Sequence, residues 1–305
     1  MDPKLRARLL IALVAVLCVG AVWGFVWYRA RPISTARLLG RMPVSAVILN
    51  VDIDALRRAG ILQLLDGSRA GLDPDYQQFV RRSNFDYRQD LDSFMIAFAP
   101  AGRYILVRGR FDWKSLRSYA HDEGGQCYVS QCDMAGSTPE RRISFAALQN
   151  NVMALAVSKD NWAVRNLVGT PQREEPEVPD APIWLSVPGS VMQSGEGLPD
   201  GTRMFARAMD RAQKLILSIA PEGSRFVAKL DLRCNNEHDA ASIAGDLTHA
   251  TGLLKQLIER EHQQPSSADL TGVLAFGTFQ SHGTRVEGRW PIERELLTTL
   301  LSGSS

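Results

Sequence analysis

The chain has 305 residues, enough for about two domains and for a buried core without disulfide staples. Apolar residues make up 45% and charged residues 22%, a globular balance that excludes a disordered or fibrous chain. The formal charge of +2 excludes polyanion binding by bulk electrostatics, so no nucleic-acid partner is expected.

Residues 1–8 form a short basic head with Lys4, Arg6 and Arg8. Leu9 to Tyr28 then holds no charged residue. A helix of that length spans roughly 30 Å of hydrocarbon, and Trp23, Trp27 and Tyr28 sit where aromatic rings favour the lipid–water boundary. Residues 9–28 therefore read as an uncleaved transmembrane signal-anchor, longer than the roughly 7–15 apolar residues of a signal peptide. Two alternatives stay open: cleavage near Val19-Gly20-Ala21, and a lipoprotein signal at Cys18, against which the bulky Leu17 stands. Basic residues flank both sides, so the positive-inside rule does not decide orientation. The short basic head favours a cytoplasmic N-terminus, a bacterial inner-membrane location and a periplasmic body. A juxtamembrane linker fills 29–45.

A first unit is expected over 46–169. Ala46–Asp52 reads as a buried strand. Asp54 is the expected cap of a helix carrying Leu56, Ile61, Leu64 and Leu65, and Asp73-Pro74 opens another. Leu91–Phe111 forms a hairpin about Pro100-Ala101-Gly102, and Asp112 caps a helix that stops at Gly124-Gly125. A second hairpin turns at Gln149–Asn151, and Ser158 starts a short last helix.

Thr170–Ala181 reads as an extended linker, rich in proline and acid. A second unit follows over 182–301, with a tail at 302–305. Ile183–Val187 matches the strand at 47–51. A helix is expected at 202–211. Ala212–Leu232 then aligns without a gap on Leu91–Phe111 at an offset of 121, so that Ala220-Pro221-x-Gly223 falls on Ala99-Pro100-x-Gly102. Asn235 or Asn236 caps a long helix to Glu261. Strands at 270–280 and 285–290 and a helix at 292–301 complete the unit. The fold class is α+β: a transmembrane helix, then two related β-α-β-β-α-β-β-α repeats with largely antiparallel sheets and helices on one face. In these segments the chain resembles uncharacterised bacterial proteins with an N-terminal anchor and a duplicated extracytoplasmic α+β domain. That resemblance implies location and architecture, and it brings no catalytic residues.

Candidate chemistry is sparse. Cys127-Tyr-Val-Ser-Gln-Cys132 can close a small disulfide loop, which an exported location permits; free thiols or a metal or redox role are the alternatives. Arg203, Arg207 and Arg211 recur every four residues with Lys214 beyond, a basic face suited to anionic lipid or an acidic partner, or simply to solvent; Arg108 and Arg110 extend the patch. The carboxylate pairs Asp52/Asp54, Asp73/Asp75 and Asp90/Asp92 could serve acid–base chemistry or Ca²⁺, but most fall at expected helix starts, where capping explains them. The histidines make no site, and no cofactor or metal is expected. The reading is a non-enzymatic binding or scaffold protein with an unknown protein or lipid partner. A carrier or sensor of a lipid-like ligand is the alternative, and an enzyme of unrecognised type a remote one.

Overall fold

The computed structural model describes residues 32–60, 74–136, 138, 141–169, 176–194, 209–223, 225–260, 270–293 and 296. In chain order the elements of the first part are α1 (Thr35–Arg41), β1 (Val47–Asp52), α2 (Ile53–Arg58), α3 (Pro74–Ser83), α4 (Tyr87–Asp90), β2 (Leu91–Ala99), β3 (Gly102–Gly109), α5 (Trp113–Asp122), β4 (Gln126–Tyr128), β5 (Gln131–Ala135), β6 (Arg142–Gln149), β7 (Val152–Ser158) and α6 (Arg165–Val168). The second part holds β8 (Ile183–Pro188), α7 (Gly189–Ser194), β9 (Ala212–Glu222), β10 (Arg225–Cys234), α8 (Glu237–Arg260), α9 (Leu270–Ala275), β11 (Thr278–His282) and β12 (Arg285–Ile292). This is a mixed α+β architecture.

The strands form one twelve-stranded sheet in the order β11-β12-β10-β9-β8-β1-β2-β3-β7-β6-β5-β4. Every described pairing is antiparallel. The two parts of the chain meet at the β1–β8 pair, where Leu49 lies opposite Leu185. Outward from there the order is β1-β2-β3-β7-β6-β5-β4 on one side and β8-β9-β10-β12-β11 on the other. A helix, α5 or α8, follows the third strand of each series. The registers agree as well. Val47 pairs with Phe98. Ile183, its counterpart, pairs with Ile219, which lies 121 residues beyond Phe98.

The hairpin turns do not superpose as the ungapped alignment expects. The first closes between Ala99 and Gly102. In the second, Pro221 stays in the ladder opposite Phe226 and closure comes between Glu222 and Arg225, where Gly223 takes φ +63°. The second hairpin is longer by the Pro221–Phe226 and Glu222–Arg225 rungs.

Alternation along the strands sorts side chains to two faces. On one face α5 covers Phe145 and Met153, while α8 lays Ala240, Ile243, Leu247 and Ala250 over Phe226, Leu230, Leu232 and Val286. The other face differs between the halves. In the first half α1 and α6 pack Leu38, Leu39, Met42 and Leu167 onto Ile48, Met95, Tyr104, Leu106, Ala154 and Ala156. Helices therefore lie on both faces there, which corrects the one-face expectation. The reason is composition: Val152-Met-Ala-Leu-Ala-Val157 is apolar at consecutive positions, so both of its faces need cover.

Other expectations are corrected locally. Asp52, not Asp54, caps α2, accepting from Ala55 N at 2.8 Å, while Asp54 pairs with Arg57 and Arg58. Asp52 still holds extended backbone as the last residue of β1, so its carboxylate reaches the first free amides. Residues 270–275 are helix α9, and the strand there starts at Thr278. Ser158 accepts from Asp160 N in a turn, and α6 begins only at Arg165. The described end of the linker is no free spacer: Val178 packs on the covered face and Glu177 pairs with Arg233. The apolar stretch 9–28 lies outside the described residues, as do Ile61, Leu64, Leu65 and most of the expected helices at 202–211 and 292–301. Among the described residues no helix is long and apolar enough to cross a membrane.

Candidate binding surface

Two exposed features stand apart from the packed core. The first is the β4–β5 hairpin at one edge of the sheet. Cys127 and Cys132 are directly opposed, with Cα atoms 4.0 Å apart, and a disulfide joins them. Cys132 is buried with Leu116 and Ala120 of α5, so the bridge ties the exposed outer strand to the core. Gly125 lets the hairpin leave α5: a Cβ there would stand 2.1 Å from the Asp133 carbonyl oxygen. At the turn, Val129 takes φ +52° and is 96% exposed. That conformation costs a β-branched residue about 1–3 kcal/mol. Tyr128 is 55% exposed and its ring sits 5.6 Å from that of Trp162, over which the Arg165 guanidinium lies at 4.6 Å.

The second feature is the sheet face of the second half, which no helix covers among the described residues and which Glu177 and Pro179 flank. The ladder registers place Lys229 where the first half has Tyr104, Asp231 where it has Leu106, Glu287 where it has Ala154 and Arg289 where it has Ala156. Apolar, covered positions in one half are thus charged, solvent-facing positions in the other. The charges run in bands across β10 and β12. Lys229 is opposite Arg289, Asp231 opposite Glu287, and Arg233 opposite Arg285. Directly opposed like charges weaken a sheet. Diagonal pairing relieves part of this: Arg285 reaches Asp231, which raises the guanidinium pKa through hydrogen bonding and charge, and Arg289 reaches Glu222 at 2.8 Å. A cleft of about 300 Å³ opens on this face between Glu177, Ser218, Lys229, Asp231, Glu287 and Arg289.

The described members of the basic set singled out in the sequence do not form one patch. Arg203 and Arg207 lie outside the described residues. Arg211 sits in a turn and faces α8, bonding Ser242 at 3.0 Å and Asp246 at 3.1 Å. Lys214 belongs to strand β9. Arg108 donates to the Ile33 carbonyl at 2.6 Å, and Arg110 engages Asp90 and the Gln89 carbonyl. Among the described residues no cluster of three or more His, Cys, Asp or Glu is arranged to hold a metal. Cys234 is buried, and burial first, then Asp239, pushes its thiol pKa up.

The charged face escaped the sequence reading at β12, although Arg285, Glu287 and Arg289 alternate there with Val286, Gly288 and Trp290. The alternation was visible; that no described helix covers the polar side was not.

No family model matches the chain, and no curated protein matches it. Similar solved structures are three crystal forms of TP0453. Form I is 11% identical, with 89% of this chain and 98% of that chain covered at a TM-score of 0.45. Form III is 10% identical, with 89% and 99% covered at 0.49. Form IV is 11% identical, with 87% and 96% covered at 0.43.

Proposed function

We propose that this chain is a single-pass, membrane-anchored binding scaffold made of two copies of one ancestral unit, with the second copy presenting its open sheet face to a protein partner. The duplication is supported by the matching strand order on either side of β1–β8 and by the shared registers. The anchor is supported by the uncharged run Leu9–Tyr28. The observation that carries the binding reading is the exchange of Tyr104, Leu106, Ala154 and Ala156 for Lys229, Asp231, Glu287 and Arg289 at corresponding positions. Bands of like charge are costly within one sheet, and a partner of opposite banding turns that cost into complementarity. The cleft on this face has charged walls, which favours a polar protein surface over a lipid.

The test is a crosslinked pull-down of the full-length protein from native membranes, beside a Lys229→Glu/Arg289→Glu variant. A protein captured in stoichiometric amount by the parent and lost by the variant supports the reading. Equal recovery from both refutes the open face as the docking surface. Recovery of lipid without protein returns the carrier alternative.

A further inference from the structure

We infer that the disulfide-closed tip Tyr128–Val129 contacts the surface of the bilayer that holds residues 9–28, an inference that rests on the anchor reading above. The argument is one of position. The chain joins the folded body at Ile33, whose amide donates to Gln149 Oε1 at 3.3 Å and whose carbonyl accepts from Arg108. Gln149 ends β6 and Arg108 lies at the end of β3, so Ile33 is fastened to one end of the sheet. Ile33 is five Cα steps beyond Tyr28, at most ~18 Å of extended chain. A membrane span ending at Tyr28 therefore holds this end of the sheet towards the bilayer.

The hairpin tip points to the same end. Gln131 pairs with Ala146 and Tyr128 with Gln131, so the turn beyond that rung reaches towards Gln149. β4 lies two strands from β6, about 10 Å sideways. The chemistry of the tip suits a lipid–water boundary. Val129 is almost wholly exposed and Tyr128, 55% exposed, offers an amphipathic ring. The disulfide gives the tip a fixed, short base. By contrast the β2–β3 turn at Ala101 lies at the opposite end of the same strands, about 25 Å away along β3.

The experiment places a photocrosslinking residue in the full-length protein reconstituted in phosphatidylethanolamine/phosphatidylglycerol vesicles. Val129→p-benzoylphenylalanine is the main variant. Tyr128→p-benzoylphenylalanine, which keeps an aromatic ring, stands in if the first does not fold. Ala101→p-benzoylphenylalanine is the control. Each preparation is also washed with alkaline carbonate. Lipid adducts at 129 or 128, with only background at 101 and the protein retained in the pellet, are expected. Background at the tip, or equal adducts at 101, in carbonate-resistant protein overturns the inference and leaves the anchor standing. Release of the protein by carbonate overturns the anchor reading, and the inference falls with it.

Discussion

The contrast between the two halves can be tested by exchanging residues at one corresponding position. Leu106 is 1% exposed beneath the helices of the first half, and Asp231 holds the same place on the open face of the second. Leu106→Asp removes about 2–3 kcal/mol of apolar burial. It also leaves a carboxyl without a built partner, so the total reaches on the order of 4–5 kcal/mol, a large part of a typical domain's stability. Asp231→Leu loses one half-exposed ion pair with Arg285 and is expected to stay within about 1 kcal/mol. Urea unfolding of the full-length protein in detergent, followed by tryptophan fluorescence, reads both changes. The sign with pH is also set. Burial raises the new carboxyl's pKa above its unfolded value near 3.9, so the penalty of Leu106→Asp shrinks towards pH 4 and grows as pH rises. Equal midpoints for the two variants, or a loss below about 1 kcal/mol for Leu106→Asp, would refute the contrast in cover that the described residues show between the two halves.

Three further outcomes follow from particular contacts. Replacing Cys127 and Cys132 together by serine is expected to cost about 2 kcal/mol for so small a loop, with the fastest new hydrogen exchange at 126–135. Arg41 donates to the carbonyls of Leu167, Val168 and Gly169 at the end of α6, so Arg41→Met should lower stability by about 2 kcal/mol in thermal unfolding, with Arg41→Lys recovering part of it. The Asp112 carboxylate accepts from Ser115 and Lys114 at the start of α5, which holds its pKa below the usual range; its contribution is full at neutral pH and is lost as pH falls through that lowered value, which a carboxyl NMR titration will follow.

Where interactions are local the sequence was legible. Asp112 caps α5, Asn236 caps α8 by accepting from Asp239 N, and the α8 stripe Ala240, Ile243, Ala244, Leu247 faces the core. The clean alternation of β10 and the cysteine spacing are equally local. The β4 and β5 strands were missed because Val129-Ser130 lacks the Gly, Asn or Asp that marks a two-residue hairpin turn, and Val129 takes the positive φ instead; the bridge and the edge of β6 hold the turn. Leu270–Ala275 is a short apolar run, and such a run does not distinguish strand from helix. The union of both halves in one sheet depends on β1 meeting β8 across more than 130 residues, for which no local pattern exists. For Arg211 the decisive groups, Ser242 and Asp246, lie on α8, some thirty residues on in the chain.

Edge pairing explains why this sheet does not grow further. The β1–β8 ladder joins the two parts of the sheet, with Leu49 opposite Leu185, and so hides two strand edges inside one chain. Two outer edges remain. β4 is three residues long and closed by a disulfide, and β11 is five residues long with Thr278, Gln280, Ser281 and His282 exposed and α8 packed over it. Short, polar or staple-closed edges resist further pairing. Growth of the sheet at either end is therefore discouraged. Among the described residues the banded charge lies instead on the face of β10 and β12, away from both edges.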